Sequence, residues 1–349
     1  MRFSLIFVPA LALVTGALAA SASLAQEAKP APDLKAVEQR ANAEDDRGTL
    51  TVLYENDKLA GTDRQYTNGF QLSYLSSTAG VPEWLRGWRP YMVPALDDDG
   101  AIRYGLSVGQ NLYTPDDTSR RTPISGDRPY AAWTYVSFSL LTDTGSRLDT
   151  LALDLGVVGP AAMGEQVQNS IHRLIGVDNA DGWDNQIRNE PGVNLVWERK
   201  WRMGQQFGLG GLGVDMTPHV GASLGNVFTY AGTGVAFRLG RDLPSDYGPP
   251  RIRPSLAGSN FYQPTTGWGW YLFAGVEGRA VARDITLDGN TFRKSPSVEK
   301  EPLVGDAQFG FAVTYEAVRL TFSYDMRTRE YEGQGENVSF GAIGISTRF

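Results

Sequence analysis

Cysteine is absent from this chain of 349 residues, so neither a disulfide framework nor a thiolate metal site is possible. Histidine is nearly absent: His172 and His219 are the only two. Basic charge is in deficit, with 32 Lys and Arg against 39 Asp and Glu, a formal net charge of -7 that argues against a nucleic-acid partner. Beyond residue 25 no stretch of 18 apolar residues occurs, which excludes a transmembrane helix. A membrane β-barrel stays open, because barrel strands alternate and leave only a weak hydropathy signal. No H-E-x-x-H is present to support a zinc protease, and no G-x-S-x-G to support that kind of serine hydrolase. No internal repeat points to a solenoid or propeller.

What is present begins with an export signal over residues 1–25. Arg2 is its positive start, Leu5 to Leu18 its apolar stretch, and Ser23-Leu24-Ala25 a small-x-small cleavage site before Gln26. Removing it takes away only Arg2 among charged residues and shifts the formal charge to about -8. Residues 26–48 read as a flexible periplasmic lead-in, and 49–349 as the folded body.

Glycine (40) and aromatic residues (8 Trp, 15 Tyr, 15 Phe) are plentiful, as strands, tight turns and interfacial girdles require. Alternation and turn residues mark about twelve strands, near 49–56, 67–77, 101–112, 130–142, 146–158, 192–203, 207–224, 227–240, 267–284, 304–315, 317–329 and 337–349. In the last one Ile343, Ile345, Thr347 and the terminal Phe349 share one face, and Ala342, Gly344, Ser346 and Arg348 the other. Lipid outside and a polar lumen inside would produce that division. The expected fold is all-β: a twelve-stranded antiparallel transmembrane barrel, monomeric, in the bacterial outer membrane. A soluble β-sandwich is the alternative. With both ends in the periplasm, 57–66, 113–129, 159–191 and 285–303 face outward. Residues 78–100 and 241–266 are long for periplasmic turns, which leaves strand parity open around 203–267.

One stretch is a helix, Gly164 to Asp178, in an outer loop. Val167, Ile171, Leu174 and Ile175 form an apolar stripe, and Gly176 stands where the helix would stop. Gln168 and His172 lie one turn apart beside that stripe. His172 could serve as a general base, or could be structural; His219, after Pro218 in a strand, reads as structural. Asn56-Asp57 closes the first strand and faces Asp63 to Gly69 across a hairpin. Asp57 could hold a hard cation such as calcium, while ordinary turn chemistry explains the same residues. Arg120-Arg121 could clamp a phosphate or simply be solvated.

Taken together, short marks in a fixed order resemble the outer-membrane lipid A 3′-O-deacylase family. They are Glu55-Asn56-Asp57, Asp63-Arg64 with Tyr66-Thr67 and Gly69, Tyr113-Thr114-Pro115, Gly126-Asp127-Arg128 and Val157-Val158-Gly159-Pro160. Glu165 to Asn169 with His172-Arg173 and Ile175-Gly176, then Phe273 to Glu277, complete them. The resemblance spans Leu50 to Phe349. It implies a twelve-stranded barrel with its active site outside, between the wall and a loop helix. It also implies a calcium-assisted esterase acting on lipid A of lipopolysaccharide, at the 3′-O-linked acyloxyacyl chain. The implied catalytic residues are Asn56, Thr67, Gln168, His172 and Asp178, with Asp57 on the metal and Arg120 and Arg121 on substrate. Asp178 stands where the family has a glutamate, and Arg120-Arg121 where it has Lys-Arg. The competing reading is an outer-membrane barrel without enzymatic activity, either pore or structural protein.

Overall fold

Alternating sequence becomes a closed wall of twelve antiparallel strands in the computed structural model. Described are residues 45–61, 65–92, 95–96, 100–122, 124–206, 212–241, 243, 246–252, 260–262 and 267–349. The export signal, most of the lead-in, and Asp63 and Arg64 lie outside them. The strands are β1 (Thr49–Asn56), β2 (Gln65–Leu75), β3 (Ala101–Thr114), β4 (Ala131–Asp143), β5 (Arg147–Val158) and β6 (Glu190–Trp201, continued past Arg202 by Met203–Gln206). Then follow β7 (Leu212–Gly225), β8 (Phe228–Arg241), β9 (Trp268–Asp284), β10 (Leu303–Tyr315), β11 (Val318–Arg327) and β12 (Val338–Arg348). Each pairs with the next, and β12 closes on β1 with Arg348 opposite Thr49. Both pieces of β6 pair with β7, so parity around 203–267 holds.

The two faces of the wall differ as β12 foretells. Ile343, Ile345 and Phe349 are exposed, while Ala342, Ser346 and Arg348 are buried. Phe70, Leu72, Leu106, Val108, Val136 and Leu155 are likewise exposed on the outside. Apolar outside and charged inside is the inverse of a water-soluble sandwich, and suits a surrounding of lipid.

Buried charge fills the interior. Arg319 Nη1 donates to Asp246 Oδ2 at 2.7 Å, Arg251 Nη1 to Asp325 Oδ2 at 2.6 Å, and Arg327 Nε to Asp306 Oδ1 at 2.7 Å. Arg238 pairs with both Asp215 and Asp246. His219 Nε2 meets Glu277 Oε2 at 2.9 Å inside the barrel, so this histidine is structural.

Both long periplasmic connections have a physical explanation. After β8 the chain turns back into the lumen: Tyr247 Oη donates to Asp143 Oδ1 at 2.7 Å and Ile252 N to Glu55 Oε1 at 3.2 Å. Tyr262 Oη donates to the Ser346 carbonyl at 3.1 Å. This segment is a plug, held by the inward charges. After β2 the chain instead forms a short helix, α1 (Glu83–Trp88), on the outside of the wall. A second unexpected helix, α3 (Ile285–Asp288), follows β9. With six and four residues, neither is long enough to show a helical period in the sequence. The end of the lead-in is fastened: the Asp45 carboxylate meets Arg348 and Arg103, and Gly48 N donates to the Phe349 carbonyl at 3.0 Å.

Asp246 ties the plug to Arg238 of β8 and Arg319 of β11, three strands apart around the wall. Removing one partner from a buried ion pair costs about 3–5 kcal/mol. Asp246→Ala is therefore expected to lower the temperature at which the folded barrel loses its fast-migrating form on a gel. A midpoint equal to wild type would contradict the assigned role of the plug.

Candidate active site

The first half of the site is built on the outer face at the top of β1 and β2. Outward positions alternate along β1 as Val52, Tyr54 and Asn56, and Asn56 stands opposite Asn68. Asn68 Nδ2 donates to Tyr54 Oη at 3.0 Å, and Asn56 Nδ2 donates to the Thr67 carbonyl at 2.7 Å. Asn56 Oδ1 accepts from Lys58 N at 2.9 Å and so caps the 3-10 turn Asp57–Ala60. That turn leans outward, with Leu59 over Gly341 of β12. Asp57 is fully buried within it, near enough to Tyr54 to act on it electrostatically. A bulge between Tyr66 and Asn68 swings Thr67 to the outer face. There its hydroxyl shares a hydrogen bond of 2.6 Å with Thr114 of β3.

The second half is α2 (Gly164–Ile175). Gly164 brings the helix onto the wall, since a Cβ there would lie 2.7 Å from Ala132 Cβ. Leu112, Ala132, Trp183 and Val167 pack together beneath it. Leu112 precedes Thr114 on the same face of β3, so the Thr67–Thr114 bridge joins the two halves. Gly176 ends the helix in the left-handed region at φ 73°, as expected from sequence.

Which side of α2 faces the wall differs from an ordinary amphipathic helix. Its buried ridge is Gly164, Gln168 and His172, the latter two only 2% and 3% exposed. Val167 and Ile171 flank that ridge, and Leu174 is 86% exposed. On a helix standing beside lipid, an outward leucine is favourable and the polar side turns in.

In the crevice between α2 and the wall the polar side chains are held in set orientations. His172 Nδ1 donates to the main-chain carbonyl of Asp178 at 2.6 Å. A carbonyl only accepts, so the neutral ring carries its hydrogen on Nδ1 and keeps the Nε2 lone pair. Gln168 Oε1 accepts from Trp183 Nε1 at 2.7 Å, which fixes the amide. Gln168 Nε2 is then a buried donor without a hydrogen-bond partner among the described residues. Such a group costs about 1–3 kcal/mol and is affordable where a ligand will complete it.

Asp178 orients the imidazole through its backbone, and its side chain is exposed. The family resemblance implies only that Asp178 belongs to the site. Asp178→Asn is thus expected to retain deacylation close to wild type by lipid A mass spectrometry, and a loss comparable to that of a histidine variant would show that the carboxylate acts directly.

Arg120 and Arg121 lie on the exposed loop after β3, which is hung on the segment following α2. Asn185 Nδ2 donates to the Arg121 carbonyl at 2.6 Å, and Asp181 N to the Thr118 carbonyl at 2.9 Å. Tyr130 Oη donates to the same Thr118 carbonyl at 3.2 Å. Burial raises the Tyr130 phenol above its ordinary value, so it remains a donor. Arg121 Nε is 3.9 Å from Asp181 Oδ2. The pair therefore sits beside the helix, on the outer rim. Gly126-Asp127-Arg128 has another use: Arg128 reaches inward, with Nη1 donating to Glu330 Oε2 at 3.1 Å.

Trp183, in the run Asp181 to Gln186 that follows α2, is a positioning residue that the sequence alone does not single out. Among the described residues no cluster of three His, Asp or Glu could hold a metal. A cation at Asp57 would rely on this one buried carboxylate and on whatever oxygens substrate and water add. Carboxylate oxygen suits a hard ion such as calcium rather than a softer metal.

Comparison with known proteins agrees with this geometry. The family model described as "Outer membrane protein LpxR" matches residues 10–349. Among solved structures, LpxR from Salmonella typhimurium is similar with a TM-score of 0.70 and 25% identity, covering 86% of this chain and 99% of that one. The β domain of the Bordetella autotransporter BrkA follows at a TM-score of 0.39 and 12% identity, covering 86% of this chain and 97% of that one. That second likeness is too low to bear on function. A search of curated proteins finds no match. A twelve-stranded wall with lipid-facing sides, a helix laid over polar residues at its outer rim, and a family match over nearly the whole length lead to one conclusion: this chain belongs to the LpxR family of outer-membrane lipid A deacylases.

Proposed function

We propose that this enzyme hydrolyses the ester of the 3′-O-linked acyloxyacyl chain of lipid A, with a water activated by His172. The observation that carries the reading is the bond from His172 Nδ1 to the Asp178 carbonyl, which leaves Nε2 as the base in a crevice above a lipid-facing wall. Nε2 takes a proton from water as the water oxygen attacks the ester carbonyl. When the tetrahedral intermediate collapses, the imidazolium returns that proton to the departing 3′ oxygen. The products are a free 3′-hydroxyl and the acyloxyacyl acid.

Gln168 Nε2, without a partner among the described residues, donates to the developing oxyanion or to the attacking water. Asn56 and Thr67 hold the first hairpin in shape below it. Asp57 is the ligand for calcium, which when bound supplies positive charge against the oxyanion. Arg120 and Arg121 engage a lipid A phosphate at the rim as charge-assisted donors. The plug speaks against a pore, since Asp246, Tyr247 and Ile252 occupy the lumen.

The test is a lipid A mass spectrum from membranes with and without the expressed protein, repeated with calcium chelated. Expected is loss of the 3′ acyloxyacyl group, only with the protein and only with calcium present. An unchanged spectrum, or loss that persists in chelator, would overturn the reading.

A further inference from the structure

Helix α1 lies outside the barrel at its periplasmic end. Val81 and Leu85 pack with Ile102, Leu140 and Leu151, which are outward positions on β3, β4 and β5. Trp197 of β6 donates from Nε1 to the Ala95 carbonyl at 2.8 Å and fixes the turn that follows. Arg86 turns back to cap its own entry, with Nε donating to the Val81 carbonyl at 3.2 Å. The face left over is aromatic: Trp84 and Trp88 are largely exposed, edge to face with ring centres 6.0 Å apart, and Tyr91 is 88% exposed.

Elsewhere around the periplasmic rim the strand ends supply exposed aromatics. Trp268 begins β9, Tyr315 ends β10, their rings are 4.7 Å apart, and Phe349 follows β12. On the β3–β5 side the strand ends are covered by α1, and the exposed aromatics there among the described residues are Trp84 and Trp88 of α1 and Tyr91 in the 3-10 turn Arg89–Met92 that follows it. On that same side α2 covers the upper wall. The bare wall between them on β3 runs from Tyr104 to Gln110, about 20 Å along a tilted strand. The apolar band of an outer-membrane barrel is about 25 Å tall. Lipid on this side must therefore also touch the outer surfaces of the two helices.

We infer that α1 is an interfacial anchor: Trp84, Trp88 and Tyr91 insert among the glycerol and headgroup atoms of periplasmic-leaflet phospholipids. Amphipathic rings favour that layer. Because α1 and α2 stand on the same three strands, β3 to β5, the anchor sets the depth of the active-site crevice relative to the outer leaflet.

The absence of cysteine makes a direct test simple, since Tyr91→Cys carries a single nitroxide label. The purified full chain is reconstituted in vesicles of phosphatidylethanolamine and phosphatidylglycerol, and Asp117→Cys on an outer loop serves as the aqueous reference. Relaxation by oxygen relative to a water-soluble nickel chelate is expected to be several-fold higher at residue 91 than at residue 117. Equal ratios at the two positions would overturn the inference. Should the labelled variant fail to fold, the emission difference between wild type and Trp84→Phe/Trp88→Phe replaces it. That difference is expected to be quenched by lipid brominated high on its acyl chains, and quenching by aqueous iodide alone would overturn the anchor. Neither readout depends on deacylation, so failure here leaves the proposed chemistry untouched.

Discussion

His172→Gln is expected to lose lipid A deacylation by roughly 10²–10⁴-fold, the usual contribution of a positioned general base. Glutamine can still donate to the Asp178 carbonyl, so the variant removes the base and little else. His172 lies outside the wall, and the barrel should assemble and migrate on a gel as wild type does. A variant that keeps wild-type rates would remove His172 from the chemistry.

Asp57→Asn is the second large effect. The substitution keeps shape and takes away the one formal charge assigned to the cation. Stabilisation of an oxyanion by a metal is worth several kcal/mol, so the rate at limiting calcium should drop by about 10²-fold or more. Part of that loss should return at high calcium, since an amide oxygen at position 57 can still ligate the ion, only more weakly. An unaltered calcium dependence would mean that Asp57 serves only the turn it begins.

How much of this was legible in the sequence depends on what each residue answers to. The strands were, because a closed wall imposes one alternation on every strand, and β12 shows it plainly in Ile343, Ser346 and Arg348. Gln168 and His172 were legible as a pair because one helical turn fixes their common face. The direction of that face was not. An apolar stripe ordinarily marks the buried side, yet Leu174 points outward here because the surroundings are lipid. The tether of His172 escaped notice because the partner is the carbonyl of Asp178, and any residue type supplies one. Trp183 acts on Gln168 through tertiary packing that no spacing announces. Of the two long periplasmic connections, the one after β8 looked anomalous because its partners are inward charges such as Arg319 and Asp325, distant in sequence, and the one after β2 because it packs on the outer wall. Only their position in the lumen makes Asp246 and Arg251 intelligible.

The central claim is that the helix and the first hairpin act on one ester. The most direct test compares deacylation rates of His172→Gln, Asp57→Asn and the variant carrying both. Groups that work as a unit are strongly non-additive, so the double variant should be little slower than the slower single one. If instead the two losses multiply, imidazole and carboxylate act independently, and the shared crevice is not where the chemistry happens.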